Sequence, residues 1–140
     1  MTVAAKRTLF RIRKLGIQKK PQKFRQSTHT GTATYGQQKA SWIPNAYSTS
    51  GNLKAINVFI TDQGYPEAHF RVHVYDCHPL ETKPTQELTT SNIIAGGGSG
   101  NRWLRMDMRE AGISIGEYGC FIGIEWVDAP RSKWHQDTIL

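Results

Sequence analysis

Two stretches limit what this chain can fold into. Residues 69–77, HFRVHVYDC, and 120–128, CFIGIEWVD, both alternate side-chain character with a period of two. Successive side chains on a strand point to opposite faces. The first stretch therefore puts Phe70, Val72 and Val74 inward, and His69, Arg71, His73 and Tyr75 outward. The second sorts Ile122, Ile124 and Trp126 from Phe121, Gly123, Glu125 and Val127. A helix cannot use such a pattern, because its apolar positions must recur at three and four residues. Weaker copies occur at 53–61, with Ile56, Val58 and Ile60 on one face, and at 102–108, with Leu104, Met106 and Met108. A short extended piece is expected at ISI, 113–115.

Turn chemistry separates these strands. Ser50-Gly51-Asn52, the DQGYPEA segment at 62–68 and the GGGSGN run near 96–101 are rich in Gly, Pro, Asn and Asp. The glycine run lacks the lysine and following helix of a phosphate loop and is expected to be a hairpin tip. Between 78 and 92 a polar segment with two prolines interrupts the pattern, and is expected to be a crossover or an edge loop. Short strands with turns between them and no sustained helical period predict an all-β chain, an antiparallel β-sandwich of jelly-roll-like kind with no long helix.

At 140 residues the chain has room for one core. The expected division is a basic leading segment and polar connector over 1–40, a sandwich over 41–130 and a tail over 131–140. No apolar run approaches the roughly 20 residues of a membrane helix, and MTVAAKRTLF carries no apolar secretory stretch.

The net charge of +7 is unevenly placed. Residues 1–25 hold nine Lys and Arg and no acid, so the remaining nine bases face all eleven acids, a balance of −2. One reading is a nucleic-acid-associated protein, in which DNA or RNA phosphates are contacted through Arg11, Arg13, Lys14, Lys19 and Lys20 and binding weakens with salt. The other reading is a solvated arm or an edge strand kept soluble by lysines. Within it, Leu9, Phe10 and Ile12 suggest a strand added to a sheet edge, of this molecule or of a second copy, and Thr32–Tyr35 a further edge strand. Monomer and edge-strand dimer both stay open.

No motif of nucleophilic, metalloprotease or phosphate-loop chemistry is present, so an enzyme is not expected, nor a cofactor. Cys77 and Cys120 are too few for a zinc site. A bridge between them needs their strand ends to be neighbours; two free thiols, packed as small apolar groups, are the other possibility. His69 and His73 share a face, but four strand residues separate them by about 13 Å, too far to share a metal. A carboxylate pair of Glu125 with Asp107 would be the minimum for glycoside hydrolysis, and nothing in the sequence brings the two together. The outward-facing groups Trp103, Arg105, Arg71 and His73 are the candidates for ligand contact.

The order FRVHVY, polar loop, NII, glycine-rich turn, WLRMDM, GISI and GCFIGIEWV resembles a β-sandwich module of Bacteroidetes cell-envelope proteins. That module accompanies carboxypeptidase-regulatory-like domains, and the likeness covers residues 53–127. It departs at the loop TKPTQEL, where the module usually has Gly-Lys-Asp. The resemblance implies a non-catalytic accessory module for binding or assembly, with a protein or glycan partner in a bacterial envelope. If an export signal lies upstream, it implies a periplasmic or surface location. It carries no catalytic residues.

Overall fold

In the computed structural model, residues 12–16, 38–47, 49–62, 67–79, 83–96 and 98–128 are described. They form eight strands, all paired antiparallel, and a single short 3-10 turn at Arg109–Ala111. The strands are β1 (Gln38–Ile43), β2 (Gly51–Asn52), β3 (Ala55–Ile60), β4 (His69–Tyr75), β5 (Ile94–Gly96), β6 (Arg102–Asp107), β7 (Ser114–Ile115) and β8 (Cys120–Asp128). A four-stranded sheet runs in the order β1-β8-β4-β5. The pairs β3–β6 and β2–β7 make up the rest. Backbone bonds from Leu53 N to Ile113 O (2.8 Å) and from Met108 N to Lys54 O (2.8 Å) link these two pairs. Residues 51–60 thus lie beside one partner strand that is interrupted by the 3-10 turn.

The alternation is realised as expected. Phe70, Val72 and Val74 of β4 are at most 1 % exposed, and their cross-strand partners on β8 are Trp126, Ile124 and Ile122. Cross-strand partners share a face, so all six sit on the inner side of the four-stranded sheet. Ile56 of β3 and Met106 of β6 join the same apolar cluster, together with Met108, Ile113, Ile115 and Cys120. The sheet and the shorter pairs therefore bury their apolar sides in one shared core, the arrangement a sandwich requires. Phe70 meets Trp126 edge to face at 6.1 Å, a geometry that aromatic quadrupoles favour.

Four elements differ from expectation or refine it. First, β1 begins at Gln38, inside the segment read as connector. QKASWI has no apolar alternation because nearly all of it is exposed at the sheet edge. Second, the glycine run is no hairpin tip. It carries the chain from β5, paired with β4, to β6, paired with β3, and so changes layers. Gly96 makes the start of that change possible, with φ of 119° and room for a Cβ blocked by the Ala68 carbonyl 2.3 Å away. Third, the polar excursion returns along the free edge of β4. Asp76 N donates to Gln86 O (2.7 Å), Leu88 N to Val74 O (2.7 Å) and Val72 N to Ile93 O (2.8 Å). Fourth, Ile12–Gly16 lie outside any strand, with Ile12 75 % exposed; Leu9–Arg11 and Thr32–Tyr35 fall outside the described residues. Cys77 and Cys120 are both free, and burial pushes the Cys120 thiol up to about 12, with Cys77 and Asp76 adding to the rise.

Phe70→Ala should empty the most tightly enclosed part of the core and lower stability by about 3–5 kcal/mol. Urea unfolding followed by circular dichroism measures it. The same change at exposed Ile94 should cost less than about 1 kcal/mol.

Candidate functional site

The outer side of the four-stranded sheet is where the polar residues of the alternation collect. In the β4–β8 register Arg71 faces Glu125, His73 faces Gly123 and Tyr75 faces Phe121. β1 continues the rows, with Gln38 beside Glu125, Ala40 beside Gly123 and Trp42 beside Phe121. Side chains that are 50 residues or more apart in the chain thus become neighbours.

Glu125 is the hub. Arg71 Nη1 donates to both of its oxygens at 3.2 Å, and His73 Nε2 lies 2.7 Å from Oε1. The other imidazole nitrogen, Nδ1, contacts Glu87 Oε1, which also accepts from Thr89 Oγ1 at 2.9 Å. Glu87 reaches this point through the excursion, since it bridges to Tyr75 across the edge of β4. His73 is thus held between two carboxylates, one on β8 and one on the returning loop at the other edge of β4. Hydrogen bonding to His73 is the main reason that both Glu87 and Glu125 are held below the ordinary carboxyl value; Thr89 for Glu87 and Arg71 for Glu125 add to it.

A glycine makes room for the rest. A Cβ on Gly123 would lie 2.8 Å from Gln38 Nε2 and 3.2 Å from the Tyr75 ring. Its absence lets Tyr75 stack on His73 (5.9 Å, 17°) and bond through its hydroxyl to the Gln38 amide at 2.8 and 2.9 Å. Beside the network lies a cavity of about 330 Å³ lined by Arg71, His73, Glu87, Thr89, Ser91 and Asn92. It exists because the returning chain leaves the ladder between Leu88 and Ile93. Arg71 Nε is buried there without a hydrogen-bond partner among the described residues.

The structure separates the candidates read from sequence. Arg71 and His73 come together on this face. Trp103 and Arg105 lie on β6, in the other layer, where Trp103 packs edge to face on Phe59 at 5.3 Å. Asp107 is on β6 as well and serves the 3-10 turn. It accepts from the Arg109 backbone and guanidinium, whose hydrogen bonds draw its carboxyl down to about 2. It shares no sheet with Glu125. Of the basic segment, Arg13 lies over the Tyr47 ring at 4.2 Å, a cation–π contact. Arg11, Lys19 and Lys20 fall outside the described residues. No group of three or more His, Cys, Asp or Glu able to hold a metal occurs among the described residues.

No sequence signal points to Glu87, fourteen residues after His73 and inside a proline-bearing loop. Glu125 could have been paired with Arg71 once the two strands were set side by side, since opposite charges on one face are a favourable cross-strand pair. Comparison of this chain with protein-family models, with curated proteins and with solved structures gave no match.

Removing His73 should release both carboxyls. In His73→Ala, the titration midpoints of Glu87 and Glu125, followed by carbon NMR of the side-chain carboxyls, should rise toward 4.5. Because folding holds these groups below their unfolded value, their contribution to stability is present above about 4.5 and is lost as pH falls through the lowered midpoints. Acid should therefore destabilise the native chain more steeply than His73→Ala.

Proposed function

We propose that this chain is a non-catalytic β-sandwich module acting in binding or assembly in a bacterial cell envelope, as its strand order suggests by resemblance. The observation that carries the reading is the self-contained network on the outer sheet face. Both nitrogens of His73 are engaged by carboxylates, and Arg71 is tied to one of them. A general acid or base needs a nitrogen or oxygen within reach of a substrate proton. Here the imidazole and the two carboxylates are spent on one another, which favours a fixed, preorganised surface over a reacting one. Preorganisation is what a binding face gains from, because less side-chain freedom is lost on contact. The adjoining cavity, rimmed by Thr89, Ser91 and Asn92, offers hydrogen-bonding groups to a partner.

Incubation of the purified chain with envelope fragments of a Bacteroidetes bacterium, followed by sedimentation, tests the reading. The chain should pellet with the fragments. Arg71→Met and Ser91→Trp, the second filling the cavity without touching the ion pairs, should each weaken the association by about tenfold, near 1.4 kcal/mol. Pelleting that neither the chain nor its variants show would remove the reading. So would hydrolytic turnover that disappears in Glu125→Gln.

A further inference from the structure

A second cleft lies at the end of the sheet where β4 stops and β8 begins. Its volume is about 760 Å³, and Thr49, Ser50, Asp76, His78, Glu117 and Tyr118 are among its walls. This is within the roughly 300–1,000 Å³ usual for small-molecule sites. None of these residues belongs to the network around His73.

Two features give the cleft a chemical character. The first is aromatic. Tyr118, 46 % exposed, is one of the walls, and Trp42, 55 % exposed near the end of β1, stands next to it at the margin of the cleft. Trp42 donates its indole N–H to the Tyr118 carbonyl at 3.2 Å, so its polar edge is already satisfied and its ring lies beside the Tyr118 wall. An exposed ring whose donor is occupied has only its apolar face to offer. The second feature is rigidity. Asn45 Nδ2 donates to Thr49 O (2.9 Å) and Gly116 O (3.1 Å), which ties the loop after β1 to the turn before β8. Gly119 closes that turn with φ of 93°, and a Cβ there would lie 2.0 Å from the Ile43 carbonyl. The wall cannot shift without breaking these contacts.

The charges select among ligands. Asp76 and Glu117 put two carboxylates at the cleft, which disfavours polyanions such as nucleic acid or acidic glycans. An apolar ring face beside hydroxyl and carboxylate acceptors fits a molecule with C–H faces and a rim of hydroxyl donors. We propose that this cleft binds a neutral or N-acetylated oligosaccharide, with Tyr118 stacking on a sugar ring inside it, Trp42 extending that apolar surface at its margin, and Thr49, Ser50, Asp76 and Glu117 accepting hydroxyl hydrogen bonds. The proposal deepens the binding reading above and rests on it for its biological setting, but it uses a different surface.

The test is a titration of the intact chain with cellohexaose, chitohexaose, mannohexaose and maltohexaose, with hexagalacturonate as the acidic counterpart. Tryptophan fluorescence and amide NMR shifts at Glu117 and Tyr118 report binding. At least one neutral or N-acetylated sugar should bind, and Trp42→Ala and Tyr118→Ala should each weaken it by about tenfold, the order of one lost aromatic contact. Thermal melting shows whether each variant keeps its fold. Asn45→Ala should weaken binding too, by loosening the turn that carries Tyr118 while removing neither stacking ring. No response to any neutral or N-acetylated sugar at millimolar concentration overturns the proposal, as does tighter binding of hexagalacturonate. Binding lost in Trp103→Ala but kept in Trp42→Ala would put the site on the other layer and overturn it as well. If Trp42→Ala and Tyr118→Ala pellet with envelope fragments as the native chain does and no sugar binds, the saccharide cleft falls and the envelope reading stands.

Discussion

The pairing of β4 with β8 is the contact on which the other features depend. It sets three apolar pairs, Phe70 with Trp126, Val72 with Ile124 and Val74 with Ile122, against the core. With the same stroke it sets Arg71 opposite Glu125 and His73 opposite Gly123 on the outside. Because side chains alternate with a period of two, the inner and outer rows cannot be chosen separately: a slip of one residue would exchange them. Burial of the inner row is worth several kcal/mol per large side chain. The polar network is therefore held in register by hydrophobic burial on the opposite side of the same strands. Its own ion pairs, partly open to water, contribute little to that choice.

The remaining strands attach to this pair. β1 adds to the outer edge of β8 and supplies Gln38 and Trp42, and the returning excursion adds to the edge of β4 and supplies Glu87. Both candidate surfaces arise where these additions end or falter. The smaller cavity opens where residues 89–92 leave the ladder, and the larger cleft opens where β4 ends and the 116–119 turn leads into β8. Regular pairing makes the frame, and its interruptions make the concave places.

Strands with one buried face could be read from the sequence, since burial imposes alternation; β3, β4, β6 and β8 were all visible in this way. β1 was not, because QKASWI is exposed on nearly every residue and carries no periodic signal. The glycine run has the composition of a local hairpin, whereas its neighbours pair with strands elsewhere in the chain, which a local pattern cannot express. Arg71 and His73 were found as outward-facing groups on a good strand. Their partners were hidden for the same reason: Glu125 is 54 residues from Arg71, and Glu87 sits in a segment without strand periodicity.

The strand order also has a consequence in time. β8 is central in its sheet yet follows every other described strand in the chain, and β1, the first, pairs only with it. As the chain leaves a ribosome, β1 has no partner until nearly 80 further residues have been made. At about 5–20 residues per second that is a wait on the order of ten seconds. β4 can meanwhile pair only with the segment up to β5, which leaves the edge that β8 will fill without a partner. Contacts so remote in sequence form slowly even in the finished chain. The half-made sheet is thus the stage at which this protein is most exposed to mispairing, and β8 ends it by filling the gap between two edges that have waited for it.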